Sequence, residues 1–552
     1  EDPVVGATLV VAAVRGIQDT GVIANAKHWI NNEIEDQRML VSANVDERTR
    51  FEFYYPPFEA AVKAGVMSVM CSYNLINDVY SCQNPDTLGH LRDTLGFKGW
   101  VMSDWTATHS TVDSLNAGLA QEMPVGIYYR EEKIMEALDN GEVTMDTVDD
   151  HIRRILTPMY AIGMFDEGPV GDRNAVVTSD EHNMLCREVA ATSTVLLRNE
   201  VPDGFSSPLL PFDFGSDVTC IAMIGDNSTV SGTGSGHVTP AYIVSPAEGV
   251  ANALSDIGRT DISVEYNDGS DLDAAVALAS KCQIVIVSVA TTCGEGSDRE
   301  TLALGNGQDD LVRAVRAVNS RVVVSVVAPG PVLMPWSKEV PALLMSWLPG
   351  QEAGNALADV LFGKLSPSAR LHVTMPNKDN EVGFTESQYP GVGFPHPQAT
   401  YSEGLFVGYR WYQANEVTPN FCFGHGLSYT SFAYGSLQEV NFASSNSDED
   451  VVVHLSVEVT NTGQVDSFEV AQLYLSYPSV LTEEPTKQLK AFKKVFVKAS
   501  ESATVVFELT QRDVSIWNAE VHNWEVVKGT FEAFAGPSSC AEQQAVQFVI
   551  AY

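Results

Sequence analysis

The chain has 552 residues, 45% of them apolar, enough for two or three separate cores because a single hydrophobic core stops growing well short of this length. Lys and Arg number 33 against 71 Asp and Glu, and the formal charge of −38 repels phosphate backbones and anionic lipid, so a nucleic-acid role is disfavoured. No apolar run reaches the roughly eighteen residues that a membrane span needs, so no span is expected.

Residues 1–165 alternate short apolar runs with amphipathic stretches: Val22-Ile23-Ala24-Asn25-Ala26-Lys27-His28, then Val66-Met67-Ser68-Val69-Met70-Cys71, then Trp100-Val101-Met102-Ser103-Asp104-Trp105. Each run ends in polar residues. This is the pattern of parallel strands, buried on both faces, whose carboxyl ends carry chemistry, as in a (β/α)8 barrel. An amphipathic helix over Val148–Phe165 is followed by a linker at 166–185, where Pro169 and Gly171 break regular structure.

Residues 186–415 read as a second α/β unit. Strand-like runs at Cys220–Ile224, Ile284–Ala290 and Val322–Val327 alternate with helices of period 3.6, such as the face made by Leu311, Ala314, Val315 and Val318. In 416–552 the texture changes, from about Phe432, to alternating strands such as Val451–Val459, with turn signals like Asn461-Thr462-Gly463 between them, which predicts a small antiparallel sandwich. The polar, acidic loop Ser444–Asp450 needs no function.

The eight cysteines (Cys71, Cys82, Cys186, Cys220, Cys282, Cys293, Cys422 and Cys540) form no CxxC pair and no Cys/His cluster of zinc spacing, so disulfides are read in preference to a metal site. Cys71 and Cys82 enclose a short loop, and Cys220 and Cys282 both open apolar runs that can meet across neighbouring strands. The sequon Asn227-Ser228-Thr229 adds slightly to a secretory-pathway reading.

Lys27, His28 and Arg38 gather two cations and an imidazole at one strand end, where buried charge needs partners. Sugar hydroxyls are one such partner; an ion-pair network with Glu33, Glu35 and Asp36 is another. Met70-Cys71-Ser72-Tyr73-Asn74 reads equally as an ordinary strand end, and Ser103-Asp104-Trp105 as a helix cap.

In this order and spacing, however, these pieces closely resemble glycoside hydrolase family three, the β-glucosidase and β-xylosidase family, along the whole chain. The resemblance rests on Lys27-His28 with Arg38, Met70 to Asn74, and Gly96-Phe97-Lys98-Gly99-Trp100-Val101-Met102-Ser103-Asp104-Trp105. It continues through Pro349-Gly350-Gln351-Glu352-Ala353-Gly354, Phe423-Gly424-His425-Gly426-Leu427-Ser428-Tyr429 and Arg512-Asp513-Val514-Ser515. It implies a barrel, then an α/β sandwich, then a fibronectin type III-like domain.

It also implies that Asp104 is the nucleophile and that Lys27, His28, Arg38, Met70, Tyr73 and Trp105 line the pocket for the released sugar. A retaining glycosidase needs one ionised carboxylate and a second carboxyl that holds a proton. The cations at Lys27 and Arg38 favour the ionised form of Asp104. The acid needs the opposite environment, and Glu295, in Thr292-Cys293-Gly294-Glu295-Gly296-Ser297-Asp298-Arg299, resembles the family's acid/base loop, with Glu300 and Asp298 as alternatives and Asp298 and Arg299 expected to pair. Ser235, in Gly234-Ser235-Gly236-His237, resembles a sugar contact of the second domain.

The expected activity is exo-acting release of β-D-glucose from glucosides or oligosaccharides by a secreted enzyme that needs no cofactor. Trp105 looks like the glucosidase branch, with a β-xylosidase or mixed specificity as the alternative. By the resemblance the chain begins in the middle of the barrel, so a preceding segment, on the same precursor or on a partner chain, is expected to complete it. The competing reading is a non-catalytic carbohydrate-binding or structural wall protein, for which the missing front end speaks and against which Asp104, Lys27, His28 and Glu295 speak.

Overall fold

The computed structural model describes residues 1–166, 171–172, 174–440, 451–481, 483–541 and 544–551. Most of the linker breakpoint between Glu167 and Arg173, with Pro169, and the acidic loop Ser444–Asp450 lie outside them.

The first unit is a parallel sheet of β1 (Asn25–Trp29), β2 (Ser68–Cys71), β3 (Trp100–Trp105) and β4 (Leu119–Met123), in that order. Alternation divides it cleanly. Trp29, Val69, Cys71 and Val101 enter a core with Phe51, Tyr55 and Leu91. Lys27 and Met70 are in register with each other, and Met70 with Met102, so all three belong to the other face, which Asp104 shares two residues beyond Met102. A register shift between Lys27 and Trp29 inserts His28 at the strand end. Helices α1 (Pro3–Gln18), capped by Asp2, and α2 (Pro56–Lys63) pack together at the side of this sheet. β1 and β4 have no further neighbour among the described residues, so the sheet is an open arc. α3 (Met145–Ala161) follows, and then α4 (Asp180–Ser193).

The second unit is a six-stranded sheet built from β5 (Val195–Asn199), β6 (Cys220–Gly225), β7 (Ser263–Asn267), β8 (Ile284–Ala290), β9 (Val322–Val327) and β10 (Ala342–Met345). Its order is β7-β6-β8-β9-β10-β5, all parallel except β5. The four inner strands β6, β8, β9 and β10 are almost wholly apolar because both faces are covered, whereas the edge strand β7 carries Ser263, Glu265 and Asn267. α4, α5 (Pro246–Asp256) and α8 (Ala353–Leu361) cover one face; α6 (Leu272–Lys281) and α7 (Gln308–Val318) cover the other, with Leu311 and Val315 of the predicted stripe buried and Val318 exposed.

The third unit is an antiparallel sandwich. One sheet pairs β11 (Val451–Asn461) with β14 (Ser502–Thr510); the other runs β13 (Gln488–Val497), β12 (Ser467–Ser476), β15 (Gly529–Gly536), β16 (Gln544–Ile550). Val453, Leu455, Val457 and Val459 alternate inward to meet Ala471, Leu473 and Leu475. This is the three-part architecture the sequence predicts.

The disulfides Cys71–Cys82 and Cys220–Cys282 are both formed, and a third, Cys422–Cys540, fastens the third unit to the second. That third pairing has no signal in the sequence, because its partners lie 118 residues apart. The third unit also grips the first: the Trp517 ring stacks on Phe51 at 3.5 Å and its Nε1 donates to Glu47.

Candidate active site

Asp104 stands at the carboxyl end of β3 and is 7% exposed. Its Oδ1 accepts from the Trp105 amide at 2.7 Å, and His28 Nε2 lies 3.2 Å from Oδ2. Burial pushes the carboxyl up, but His28, the Trp105 amide and the Tyr73 hydroxyl outweigh it and hold the group below the usual carboxylate range. Asp104 is therefore an ionised carboxylate at the bottom of the open face. The ring of Trp105, 59% exposed, stands free beside it.

Tyr73 connects Asp104 to the second unit. Burial and the neighbouring Asp104 push its hydroxyl up to about 12, so it stays a hydrogen-bond donor. The Arg38 guanidinium lies over its ring at 4.6 Å and reaches Glu295 Oε1 at 2.9 Å. Asp104, Tyr73, Arg38 and Glu295 thus form one continuous chain of contacts across the two units. Lys27 is exposed on the open face, level with Met70.

Glu295 is held by two ribbons that leave the second sheet side by side, residues 226–235 after β6 and 291–296 after β8. The Thr233 amide donates to Cys293 O at 2.9 Å, and Thr292 Oγ1 to Ser231 O at 3.2 Å. Gly234 has φ +95°, and a Cβ there would overlap the Glu295 side chain and amide, so the close approach requires glycine. Ser235 donates to Glu295 Oε2 through its amide at 2.8 Å and through its hydroxyl. Ser235, expected as a sugar contact, is thus bonded to the Glu295 carboxylate.

The consequence reverses the sequence expectation for the acid. Ser235 first, and then Arg38, lower the Glu295 carboxyl to about 2 against the upward push of its slight burial, so here it is a carboxylate. The predicted pairing of Asp298 with Arg299 is also absent. Asp298 Oδ2 accepts from the Glu35 and Asp36 amides, each at 3.2 Å, and from Tyr389 Oη at 3.1 Å, while Arg299 donates to Pro331 O at 2.7 Å. Gly296 N donates in turn to Glu35 Oε2 at 2.7 Å and Asp298 N to Asp36 Oδ1 at 3.2 Å. The expected network around Arg38 does exist, through Glu35 at 3.0 Å, but it serves as a clamp between units. Glu35, Asp36 and Tyr389 thus join the site as positioning residues. Glu35 and Asp36 are legible in the sequence as candidate partners of the Arg38 cluster, whereas nothing in the sequence singles out Tyr389.

The first 158 residues match the Glycosyl hydrolase family 3 N terminal domain, residues 194–429 the Glycosyl hydrolase family 3 C-terminal domain, and residues 469–539 the Fibronectin type III-like domain. Among curated relatives, the Probable beta-glucosidase L of Aspergillus terreus is 36% identical over 98% of this chain and 78% of its own length. The Thermostable beta-glucosidase B of Acetivibrio thermocellus is 35% identical over 98% of this chain and 70% of its own. Among solved structures, the beta-D-glucoside glucohydrolase from Trichoderma reesei superposes with a TM-score of 0.89 at 32% identity, covering 100% of this chain and 82% of that one. DesR, a beta-glucosidase from Streptomyces venezuelae in complex with D-glucose, gives 0.91 at 28% identity, covering 100% and 85%.

Proposed function

This chain belongs to glycosyl hydrolase family 3, and on that premise we propose that it is a retaining, exo-acting β-glucosidase in which Asp104 is the nucleophile and Glu295 the acid/base. The observation that carries the reading is the ionised, nine-tenths buried Asp104 at a strand end, linked through Tyr73 and Arg38 to a carboxylate of the other unit. The relatives' names, and the glucose bound to DesR, support glucose as the sugar.

In the proposed reaction the terminal sugar sits on the open face of β1–β3, where Lys27 and His28 engage its hydroxyls. An Asp104 oxygen attacks the anomeric carbon while the glycosidic C–O bond breaks, and a proton passes from Glu295 to the departing oxygen. Water, giving its proton to Glu295, then cleaves the glycosyl–Asp104 ester and restores both carboxyls. The glycosidic oxygen can only accept, so set against Glu295 it favours the protonated carboxyl, which alone can donate to it, over the ionised form that Ser235 and Arg38 hold. Trp105, exposed at the mouth, offers a ring face to the leaving group.

The test is labelling with a 2-deoxy-2-fluoro-β-glucoside, followed by digestion and mass spectrometry. The label is expected on Asp104, and Asp104→Asn should abolish both label and turnover. A label on another carboxylate overturns the assignment; hydrolysis of aryl β-xyloside in preference to aryl β-glucoside overturns the sugar.

A further inference from the structure

Beyond the carboxyl ends of β6, β7 and β8 the second unit encloses a crevice of about 520 Å³ that the proposed reaction does not use. It lies where the strand order reverses, since β6 has β7 on one side and β8 on the other. Open α/β sheets bind ligands at such switch points. Its walls include Asp226 after β6, Asp268 after β7, Thr291 after β8 and Asn306 before α7, with Leu304 and Leu311 as apolar patches.

The charges define the occupant. Asp226 and Asp268, with Asp309 and Asp310 in the first turn of α7, oppose a phosphate or carboxylate even though Gly307 leaves that helix start without a side-chain cap. Among the described residues, Asp226 and Asp268 are the only acidic, His or Cys residues of the crevice wall, fewer than the three ligands grouped at Cys220, Glu265 and Cys282, which lie elsewhere in the domain and are closed by a disulfide. What remains is a neutral polyhydroxylated molecule. Such a molecule can donate to Asp268, whose Oδ1 alone is taken up by Ser270, and accept from Thr291 and Asn306, with its C–H faces against the leucines, while both Asp226 oxygens already accept from the turn at Ser228 and Thr229. The volume falls in the range of small-ligand sites.

The two ribbons that hold Glu295 both start from these walls. Asp226 and Thr229 begin one and Thr291 and Thr292 the other, and the ribbons are then tied together from Ser231 to Ser235. A molecule bridging their roots acts on their spacing, and so on the Ser235–Glu295 contact. We propose that the crevice is a second, non-catalytic site for a neutral monosaccharide, and that its occupancy changes kcat through Glu295. The second half of this statement rests on the acid/base role proposed for Glu295; the first does not.

D-Glucose is the probe, with the full chain. In soaked crystals, density is expected in the crevice as well as beside Asp104. Density beside Asp104 alone overturns the inference and leaves the active-site reading intact; density in the crevice alone does the reverse. In solution, initial rates on an aryl β-glucoside with added glucose should show a rise in apparent KM, from the Asp104 site, and a separate saturable change in kcat. Ser270→Trp, which fills the exposed rim, should abolish the kcat response and keep the KM response, with kcat in the absence of glucose unchanged. Asp268→Asn should weaken the kcat response about tenfold, as loss of one charged acceptor implies. A kcat response identical in wild type and both variants overturns the coupling.

Discussion

Glu295 is the residue whose chemistry departs furthest from expectation. A general acid must carry a proton, yet Ser235 and Arg38 hold this carboxyl at about 2. The sign of the effect gives a test. With Glu295 in the acid role proposed above, the protonated form is the active one, the rate falls as pH rises through its pKa, and anything that raises that pKa moves the alkaline limb upward. Ser235→Ala removes the hydroxyl of the strongest partner, so the alkaline limb of its kcat/KM profile should lie at higher pH than in the wild type, and Glu295→Gln should lack that limb altogether. Superimposable profiles for wild type and Ser235→Ala would show that another group, Glu300 for instance, titrates there. Asp104 behaves in the opposite sense, since its partners stabilise the charged form, the form that the nucleophile role proposed above requires.

Among the elements, the decisive pair is the loop 33–38 after β1 and the loop 293–299 after β8. Their reciprocal backbone-to-carboxylate bonds through Asp298, Asp36 and Glu35 fasten the loop that carries Glu295 to the loop that carries Arg38. Asp298→Ala deletes the acceptor for two amides and for Tyr389 without touching a core. Misplacement by about 1 Å costs roughly a hundredfold in rate, so kcat/KM should fall by tenfold to a hundredfold on that scale. The loss should be greatest for alkoxide leaving groups and smallest for dinitrophenolate, which needs no proton. An equal loss for both would mean that the clamp serves sugar binding and not proton delivery.

Across the whole molecule, the third unit is tied to the second by more than Cys422–Cys540. Arg370, whose side chain is 8% exposed, donates to Glu469, 2% exposed, at 2.6 Å, and Tyr434 Oη donates to the same carboxylate at 2.8 Å. Breaking a buried pair on one side strands a charge in low dielectric at a cost of about 3–5 kcal/mol. Glu469→Ala should therefore lower the first denaturant transition by that order, followed by fluorescence and circular dichroism together because a three-unit chain need not unfold in two states. Replacing both partners with apolar residues of similar size should recover most of the loss. A wild-type midpoint for Glu469→Ala would remove this ion pair from the account of domain docking.

What the sequence alone determined is local or periodic. Strand runs ending in Lys27-His28, Met70–Tyr73 and Ser103-Asp104, the second α/β texture and the alternating strands after Phe432 all follow from side-chain spacing, because period 2 and period 3.6 decide which residues share a face. The spaced motifs added the family and, with it, Asp104. The tertiary structure alone decided which carboxylate meets which cation: Arg38 with Glu295, Asp298 with the 35–36 amides, Arg370 with Glu469, separations of 257, 262 and 99 positions. A charge has no periodicity that names its partner, and with 71 acidic residues against 33 basic ones the sequence leaves many pairings open. Only the packing of two sheets and a sandwich brings particular loops within hydrogen-bond reach, and the pKa of Glu295 is set there.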